Sequence, residues 1–310
     1  MTPHEPRLHR IAQDTYGYLA HDGTWGRSNA GLVVSGQDAL LIDTLFTVHQ
    51  AHEMLSEIGR RVPTARIHTV INTHGDSDHW WGNQLLPHAE IIASEATRRH
   101  MLDDNSLALL DVVAAKAAPP ALQAWAERTF APFDFSGITP TPATRTFRGE
   151  LTLDVGTRTV HLLEVGPAHT AGDVLVHVPD TNTLYAGDIL FVGCHPVIHS
   201  GPIDNWITAC RRVIDLDPTT IVPGHGPIVG TAEVHHFRDY LERLRDHAHH
   251  SHQAGRSVQE AASTLDLGPH AHLHDRERLV INLGVVYHQL DGGDRPDEIA
   301  LLQQMAEWKG

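Results

Sequence analysis

The sequence predicts an α+β protein in which two β-sheets pack face to face and helices cover their outer sides. Short apolar strands separated by Gly and Asp fall into two groups, at 16–94 and 150–224, and each group also contains helical segments. The segment 231–310 has a mostly helical pattern. Sheets with apolar faces are stabilised by packing on each other and on amphipathic helices, which gives this layered arrangement.

The first group begins with strand-like runs and then alternates strand and helix. Its strands are short apolar, partly β-branched runs bounded by turn residues. They are "YGYLA" (16–20), "AGLVVS" (30–35), "ALLIDT" (39–44), "RIHTVIN" (66–72) and "AEIIAS" (89–94). A helical pattern runs from Val48 to Arg60, between the third and fourth of these strands.

The segment 95–144 separates the two groups. Residues 95–130 are rich in Ala and Leu and predict helix, interrupted at Pro119 and Pro120. A Pro-rich connector follows at 132–144. We expect a helical cap or insertion over the functional site, and plain packing against the outside of the domain is the alternative.

The second group repeats this style. Its strands are "ELTLDV" (150–155), "TVHLLEV" (159–165), "DVLVHV" (173–178), "TLYAGD" (183–188) and "TTIVPG" (219–224). A helix is expected from about Asn205 to Ile214, and further helices at about 231–252, 257–266, 275–290 and 296–308. We therefore expect a catalytic domain at 1–230 and a helical part at 231–310 that packs on the same domain.

Composition excludes several classes of protein. The chain has 310 residues, of which 41% are hydrophobic and 20% charged, as in ordinary globular proteins. A net charge of −15 repels phosphate backbones and argues against a nucleic-acid partner. The sequence has no membrane-spanning run and begins without the apolar segment of a signal peptide, so a cytoplasmic protein without a membrane partner is expected. Cys194 and Cys210 form no CxxC pair, so no cysteine metal site is expected.

Imidazoles and carboxylates recur close to the ends of predicted strands. The stretch "NTHGDSDHWWGN" (72–83) carries the first four, and "VGPAHTAGD" (165–173), "LYAGDIL" (184–190) and "IVPGHGPI" (221–228) carry one each. The residues are His74, Asp76, Asp78, His79, His169, Asp188 and His225. Each alone is compatible with an ordinary loop residue. Together they form a donor set for two divalent ions, which suits zinc and also iron or manganese.

This pattern resembles the metallo-β-lactamase superfamily, whose signature is His-x-His-x-Asp-His followed by a distant His, an Asp and a final His. The resemblance runs from "NAGLVV" (29–34) to "VPGHGP" (222–227) and implies a four-layer αββα sandwich with a two-metal site between the sheets. It implies that the first metal is held by His74, Asp76 and His169, the second by Asp78, His79 and His225, and that Asp188 bridges them. It also implies metal-assisted hydrolysis, in which Asp78 orients the nucleophile and moves a proton.

One residue departs from the signature. Asp76 stands where the family has its second His, and a carboxylate there adds negative charge to the first metal site. A carboxylate in this slot also occurs in the flavodiiron branch, which uses Glu. Two zinc ions are expected as cofactors, with iron or manganese left open.

Four tryptophans are candidates for the wall of a substrate pocket. Trp80 and Trp81 follow the ligand stretch directly, and Trp25 and Trp206 lie in Gly-containing segments that could face the same cavity. The alternative for each is core packing. Aromatic walls around a metal would suit a flat, hydrophobic substrate.

The features "THGDSDHWWGN", "GDILF…P…GPIDNWI" (187–207) and "RERLVINLGVVYHQL" (276–290) resemble the actinorhodin-type thioesterase/cyclase branch of aromatic polyketide biosynthesis. The expected function is therefore hydrolysis of an acyl thioester, with the acyl group free or bound to a carrier protein. A lactonase or β-lactamase-like amidohydrolase is the second hypothesis, and a diiron redox protein is the third. The oligomeric state stays open, because Leu279, Leu283, Val286 and Leu290 could form core or a dimer face.

Overall fold

The computed structural model describes residues 6–20, 23–293 and 297–309, and it contains two β-sheets packed face to face. The first sheet has seven strands: β1 (Arg7–Ala12), β2 (Thr15–Leu19), β3 (Ala30–Ser35), β4 (Asp38–Ile42), β5 (Arg66–Ile71), β6 (Glu90–Ser94) and β7 (Arg145–Phe147), in that spatial order. The second has five: β8 (Glu150–Val155), β9 (Arg158–Glu164), β10 (Val174–Val178), β11 (Thr183–Phe191) and β12 (Thr220–His225), ordered β12-β11-β10-β9-β8.

Helices cover the outer sides of both sheets. They are α1 (Val48–Arg61), α2 (Ser77–Trp80), α3 (Glu95–Asp103), α4 (Ser106–Ala114), α5 (Pro120–Phe130), α6 (Ile203–Leu216), α7 (Thr231–Gln253), α8 (Val258–Thr264), α9 (Arg278–Leu290) and α10 (Glu298–Glu307). Short 3-10 turns occupy Trp81–Leu85, Pro179–Thr181 and Gly268–His270. This arrangement confirms the predicted α+β fold with four layers, αββα.

The layer between the sheets is apolar and fully buried. Leu40, Ile42 and Ile71 from the first sheet meet Leu162, Val174 and Val176 from the second in one cluster. Alternate residues of these strands point the other way, into clusters under the helices. The two sheets therefore share one core and keep a fixed relation to each other.

Parallel strands bring the functional loops to one edge. Strands β4 to β7 run parallel in the first sheet, and β11 and β12 run parallel in the second. The connection from β4 to β5 passes through α1, which begins at a capping box formed by Thr47 and Gln50. The carboxyl ends of parallel strands meet at the same edge of a sheet, where open α/β sheets carry their sites.

The C-terminal helices pack on the rest of the chain. Helix α7 contacts α6, α9 contacts α7 and α8, and α10 contacts α9 and also α5. Leu279, Leu283 and Val286 are buried in this core, whereas Leu290 is exposed. The division at residue 230 stays a prediction. In the described part of the chain, every helix is too short or too polar to cross a bilayer.

Two strands were absent from the sequence prediction. β1 alternates poorly because it is an edge strand whose side chains are largely exposed, and β7 has three residues, too few to show a period. The predicted helical stretch 95–130 is divided into α3, α4 and α5.

Asn29 joins the first sheet to the end of β12. Its side-chain amide donates hydrogen bonds to the carbonyls of Pro223 and Gly226, at 2.9 and 2.8 Å, and its carbonyl oxygen accepts from the Ala20 amide at 2.9 Å. The residue is buried. These bonds hold the turn that carries His225.

We expect Asn29→Ala to lower the free energy of unfolding by about 2–4 kcal/mol, because it leaves several buried backbone groups without partners. Chemical denaturation measures this. Asn205→Ala removes an exposed amide from a helix and should change stability by about 0.5 kcal/mol or less. Equal effects of the two substitutions would contradict a bridging role for Asn29.

Candidate metal centre

Four of the predicted ligands lie between the end of β5 and the end of α2. His74 comes just after the strand, Asp76 directly precedes the helix, and Asp78 and His79 lie within it. The helix turns His79 inward, so that its ring is fully buried. The side chains of Asp76 and Asp78 stay 15% and 16% exposed and line a cavity.

The other three predicted ligands come from the second sheet. His169 lies between β9 and β10, and His225 is the last residue of β12. Asp188 was predicted at the end of a strand, but β11 continues to Phe191, so Asp188 lies inside it where pairing with β12 is irregular. Gly224 is required opposite, because a Cβ there would lie 1.8 Å from Asp188 Oδ1.

The first group of donors lies beside Oδ2 of Asp188. The Nε2 atoms of His74 and His169 lie 3.8 and 3.4 Å from Asp188 Oδ2. Asp76 Oδ2 lies 2.9 Å from His169 Nε2 and 3.9 Å from His74 Nε2. The structure thus brings these three residues together as the family resemblance implied.

The second group contacts both oxygens of Asp188. His79 Nε2 is 3.1 Å from Asp188 Oδ1, and His225 Nε2 is 3.3 Å from Asp188 Oδ2. Asp78 Oδ2 lies 3.4 Å from His225 Nε2 and 4.0 Å from His79 Nε2. Asp188 therefore contacts both groups, which is the position a bridging carboxylate needs.

The donor set fits metal ions. His74 Nε2 and Asp188 Oδ1 are buried polar atoms without a hydrogen-bond partner in the described structure. Buried polar atoms are normally paired, so two such atoms in one cluster mark a place for a cation. Imidazole nitrogen and carboxylate oxygen suit zinc, and also iron or manganese.

Electrostatics within the cluster favour positive charge. Burial and the neighbouring His79 hold the pKa of His74 well below its usual range, so this imidazole is neutral and able to bind a metal. Burial acts to lower the pKa of His225 too, but Asp188 and Asp78 outweigh burial and raise that pKa to about 9. The carboxylates thus create a potential in which a cation is stabilised.

Residues behind the ligands fix their orientation. Asp43 Oδ2 lies 2.8 Å from His79 Nδ1, and Thr73 donates to both oxygens of Asp43 from its backbone amide and its hydroxyl. His169 Nδ1 donates to the Val197 carbonyl at 2.6 Å. Such contacts direct each Nε2 atom inward and select the tautomer that can bind a metal.

The tryptophans divide into two pairs. Trp25 and Trp81 line the cavity beside the ligands. Trp80 and Trp206 do not line it and donate their indole N–H groups to the carbonyls of Gly75 and Ile189. Trp81 is as fully buried as these two. Two of the four candidates for the substrate wall therefore belong to the core, which was the alternative for each, since an indole near a predicted ligand can belong to either.

The cavity above the ligands has a volume of about 420 Å³. Aromatic side chains form much of its wall: Trp25, Phe46, Trp81, Trp125 and Phe130. Helices α4 and α5 contribute Leu109 and Trp125, so the 95–144 segment borders the cavity, and Glu298 and Ile299 border it from α10.

The sequence interpretation missed several residues near the ligands. His199 lies 3.2 Å from Asp76, and Glu298 contacts His199 from α10. His100 of α3 lies 3.9 Å from the other oxygen of Asp76. No local motif marks these residues. The stretch "CHPVIH" (194–199), which ends in His199, follows the strand of Asp188 closely enough to have been a signal.

The family model described as the metallo-β-lactamase superfamily matches residues 23–225, which contain all seven predicted ligands. The chain belongs to this superfamily. Members of the superfamily include metal-dependent hydrolases, so metal binding by these His and Asp groups is the chemistry that the fold supports.

Relatives that match in sequence include a demethylase subunit and a hydrolase. The chain is 26% identical over 199 residues to the 2,4-dinitroanisole O-demethylase subunit alpha of Nocardioides sp.. This alignment covers 63% of this chain and 51% of the relative. It is 34% identical over 71 residues to a hydroxyacylglutathione hydrolase of Rhizobium johnstonii, covering 23% of this chain and 27% of the relative. The matches thus span about half, or less, of each relative.

Solved structures share the fold. A metallo-β-lactamase from Pontibacter korlensis superposes with a TM-score of 0.59 at 17% identity, covering 77% of this chain and 99% of that chain. The sec-alkylsulfatase Pisa1 from Pseudomonas sp. gives a TM-score of 0.67 at 15% identity, covering 92% and 50%. At such identities the likeness concerns the fold alone.

We expect Asp43→Asn to weaken binding of one metal ion by roughly 10–100-fold, because it removes the charge that orients His79. Competition with a chromogenic chelator measures the affinity. Asp38→Asn is the matched control, since Asp38 is an exposed residue of β4 outside the site. Unchanged affinity in Asp43→Asn would show that the ligand ring is held by packing alone.

Proposed function

We propose that the protein is a dinuclear metal hydrolase that holds two zinc ions and cleaves an acyl bond, with an aromatic or other flat apolar thioester as its substrate. The observation that carries this proposal is the contact of Asp188 with both groups of ligands at the floor of an aromatic cavity. The predicted metal ligands and the apolar wall then border the same cavity.

Two divalent ions, when bound, supply a nucleophile from water at neutral pH and polarise a carbonyl oxygen. The first would be held by His74, Asp76 and His169, and the second by Asp78, His79 and His225, with Asp188 shared. Asp78 borders the cavity, and we assign it the role of orienting the nucleophile and holding a proton.

The wall determines the shape of substrate that fits. Phe46 and Trp81 stack with ring centroids 5.2 Å apart, and Trp25 and Trp125 meet edge to face at 5.3 Å. Such contacts fix the rings in a rigid apolar wall. A flat acyl group bound there would hold its carbonyl over the ligands, so that remote binding contributes to orientation.

The names of the matched relatives support this choice of substrate. One is named a hydrolase of hydroxyacylglutathione, an acylated thiol, and the other a demethylase of 2,4-dinitroanisole, an aromatic compound. The resemblance to the thioesterase/cyclase branch points to an aromatic polyketide thioester. The partner is then a small acyl substrate, free or bound to a carrier protein.

Asp76 favours a second candidate, a diiron redox protein. The carboxylate replaces the second imidazole of the family signature and resembles the flavodiiron pattern. The hydrolase is the better-supported function, because a matched relative is named a hydrolase.

The purified protein should contain close to two divalent ions per chain, mostly zinc, and a strong chelator should abolish hydrolysis. Elemental analysis measures the content, and added zinc should restore activity after chelation. One ion or none in active protein would contradict the dinuclear centre. Two iron atoms with a diiron absorption band would favour the redox alternative.

Aryl thioesters should be hydrolysed with a higher kcat/KM than acetyl thioester, penicillins or simple lactones. Trp25→Ala should raise KM for the aryl thioester by roughly tenfold, because an aromatic contact contributes about 0.5–1.5 kcal/mol. Trp308→Ala removes an indole outside the cavity wall and is the control. A lactone, a β-lactam or 2,4-dinitroanisole as the best substrate would contradict the thioester assignment and leave the metal centre intact.

A further inference from the structure

Asp76 is the one predicted ligand that departs from the family signature, and its surroundings differ accordingly. Its Oδ2 atom lies between two imidazoles, 2.9 Å from His169 Nε2 and 3.2 Å from His199 Nε2. These three residues form a group of donors whose atoms lie within 4.8 Å of one another. The group shares His169 with the first predicted metal site, so His199 borders that site directly.

The backbone holds His199 in this position. Its loop runs between β11 and α6, and the amides of His199 and Ser200 both donate to the His169 carbonyl, at 2.9 and 3.0 Å. The two imidazole rings meet edge to face, with centroids 5.2 Å apart. The loop of His199 is therefore tied to the loop of a predicted ligand, and the two rings keep a fixed relation.

Each ring nitrogen of His199 has its own partner, as in the predicted ligand His79. Its Nδ1 atom lies 3.3 Å from Glu298 Oε1, while its Nε2 atom faces Asp76. His79 likewise has its Nδ1 on Asp43 and its Nε2 inside the cluster. Metal-binding histidines usually donate their outer N–H to a carboxylate or a carbonyl, which leaves the inner nitrogen free to bind the ion.

The donor count gives a reason for this arrangement. Asp76 replaces a neutral imidazole with a carboxylate, so the first site loses a nitrogen donor and gains a negative charge. We propose that His199 is a ligand of the first metal ion, binding through Nε2 beside Asp76 and His169, with Glu298 orienting its ring. A nearby imidazole from another loop thus supplies the nitrogen that the motif lacks, and zinc tolerates a fifth ligand.

His100 is the other imidazole beside Asp76, but its position differs. Its Nδ1 atom lies 3.9 Å from Asp76 Oδ1, whereas His169 and His199 contact Oδ2. It belongs to none of the three donor groups found among the described residues. His100 is therefore the matched control for His199, since both are partly buried histidines next to the same carboxylate.

This inference rests on the metal centre of the proposed function, and the experiment separates the two. Metal-free wild type, His199→Gln, Glu298→Gln and His100→Gln are titrated with zinc against a chromogenic chelator. Gln keeps a hydrogen-bond donor for Asp76 but is a poor zinc ligand. We expect His199→Gln to lose roughly 100-fold or more in affinity for one ion, Glu298→Gln to lose roughly tenfold, and His100→Gln to bind both ions like wild type.

X-ray absorption spectroscopy of the zinc-loaded proteins counts the ligands directly. Wild type should show five imidazoles for two ions, from His74, His79, His169, His199 and His225, and His199→Gln should show four. Asp76→His in the His199→Gln background restores the family's donor and should recover most of the lost affinity. Circular dichroism of the metal-free proteins verifies that the variants fold.

Two results would overturn the proposal. If His199→Gln bound both ions with wild-type affinity and an unchanged imidazole count, His199 would be a hydrogen-bond partner of Asp76 and nothing more, while the metal centre would stand. If wild type itself failed to bind two ions, both this inference and the proposed metal centre would be wrong. Should His199→Gln not fold, wild-type affinity and wild-type ligand count in Glu298→Gln would count against the proposal.

Discussion

Burial of the Asp188 carboxylate among four imidazoles is the constraint on which this structure depends. Its oxygens lie 3.1 to 3.8 Å from the Nε2 atoms of His79, His225, His169 and His74. A charge removed from water costs several kcal/mol unless close partners compensate it. Two of these histidines, His74 and His79, follow a strand of the first sheet, and the other two belong to the second sheet and its loops. The four rings can meet at Asp188 only because the two sheets pack face to face with these loops at the same edge.

Hydrogen bonds outside the cluster hold the predicted ligands in a fixed geometry. Asp43, at the end of β4, binds both Thr73 and His79, so neighbouring strand ends orient one ligand. Asn72 and Asn83 exchange hydrogen bonds between their amides, which ties the ligand segment to the turn behind it. Because these polar groups are buried and paired, the ligand segment has little freedom to reorganise.

The sequence allowed the fold to be predicted and pointed to the seven predicted ligands that the structure brings together, because both leave local signals. Strand and helix periods are visible within about ten residues, and each predicted ligand lies at or near a predicted strand end. Asp43, His199 and Glu298 left no such signal, since each acts through a partner that is distant in sequence. Trp80 and Trp206 were misplaced because an indole beside a ligand can equally belong to the core.

Different parts of the chain form the cavity. The region that matches the superfamily, 23–225, contains the seven predicted ligands and the aromatic wall. Residues beyond it border the same cavity, including Arg278, which packs against Trp25, and Glu298 at the start of α10. Helix α10 also contacts α5, so the C-terminal helices and the 95–144 segment support each other around the opening. Changes in these helices can alter the shape of the cavity while the geometry of the predicted ligands, fixed by the two sheets, stays the same.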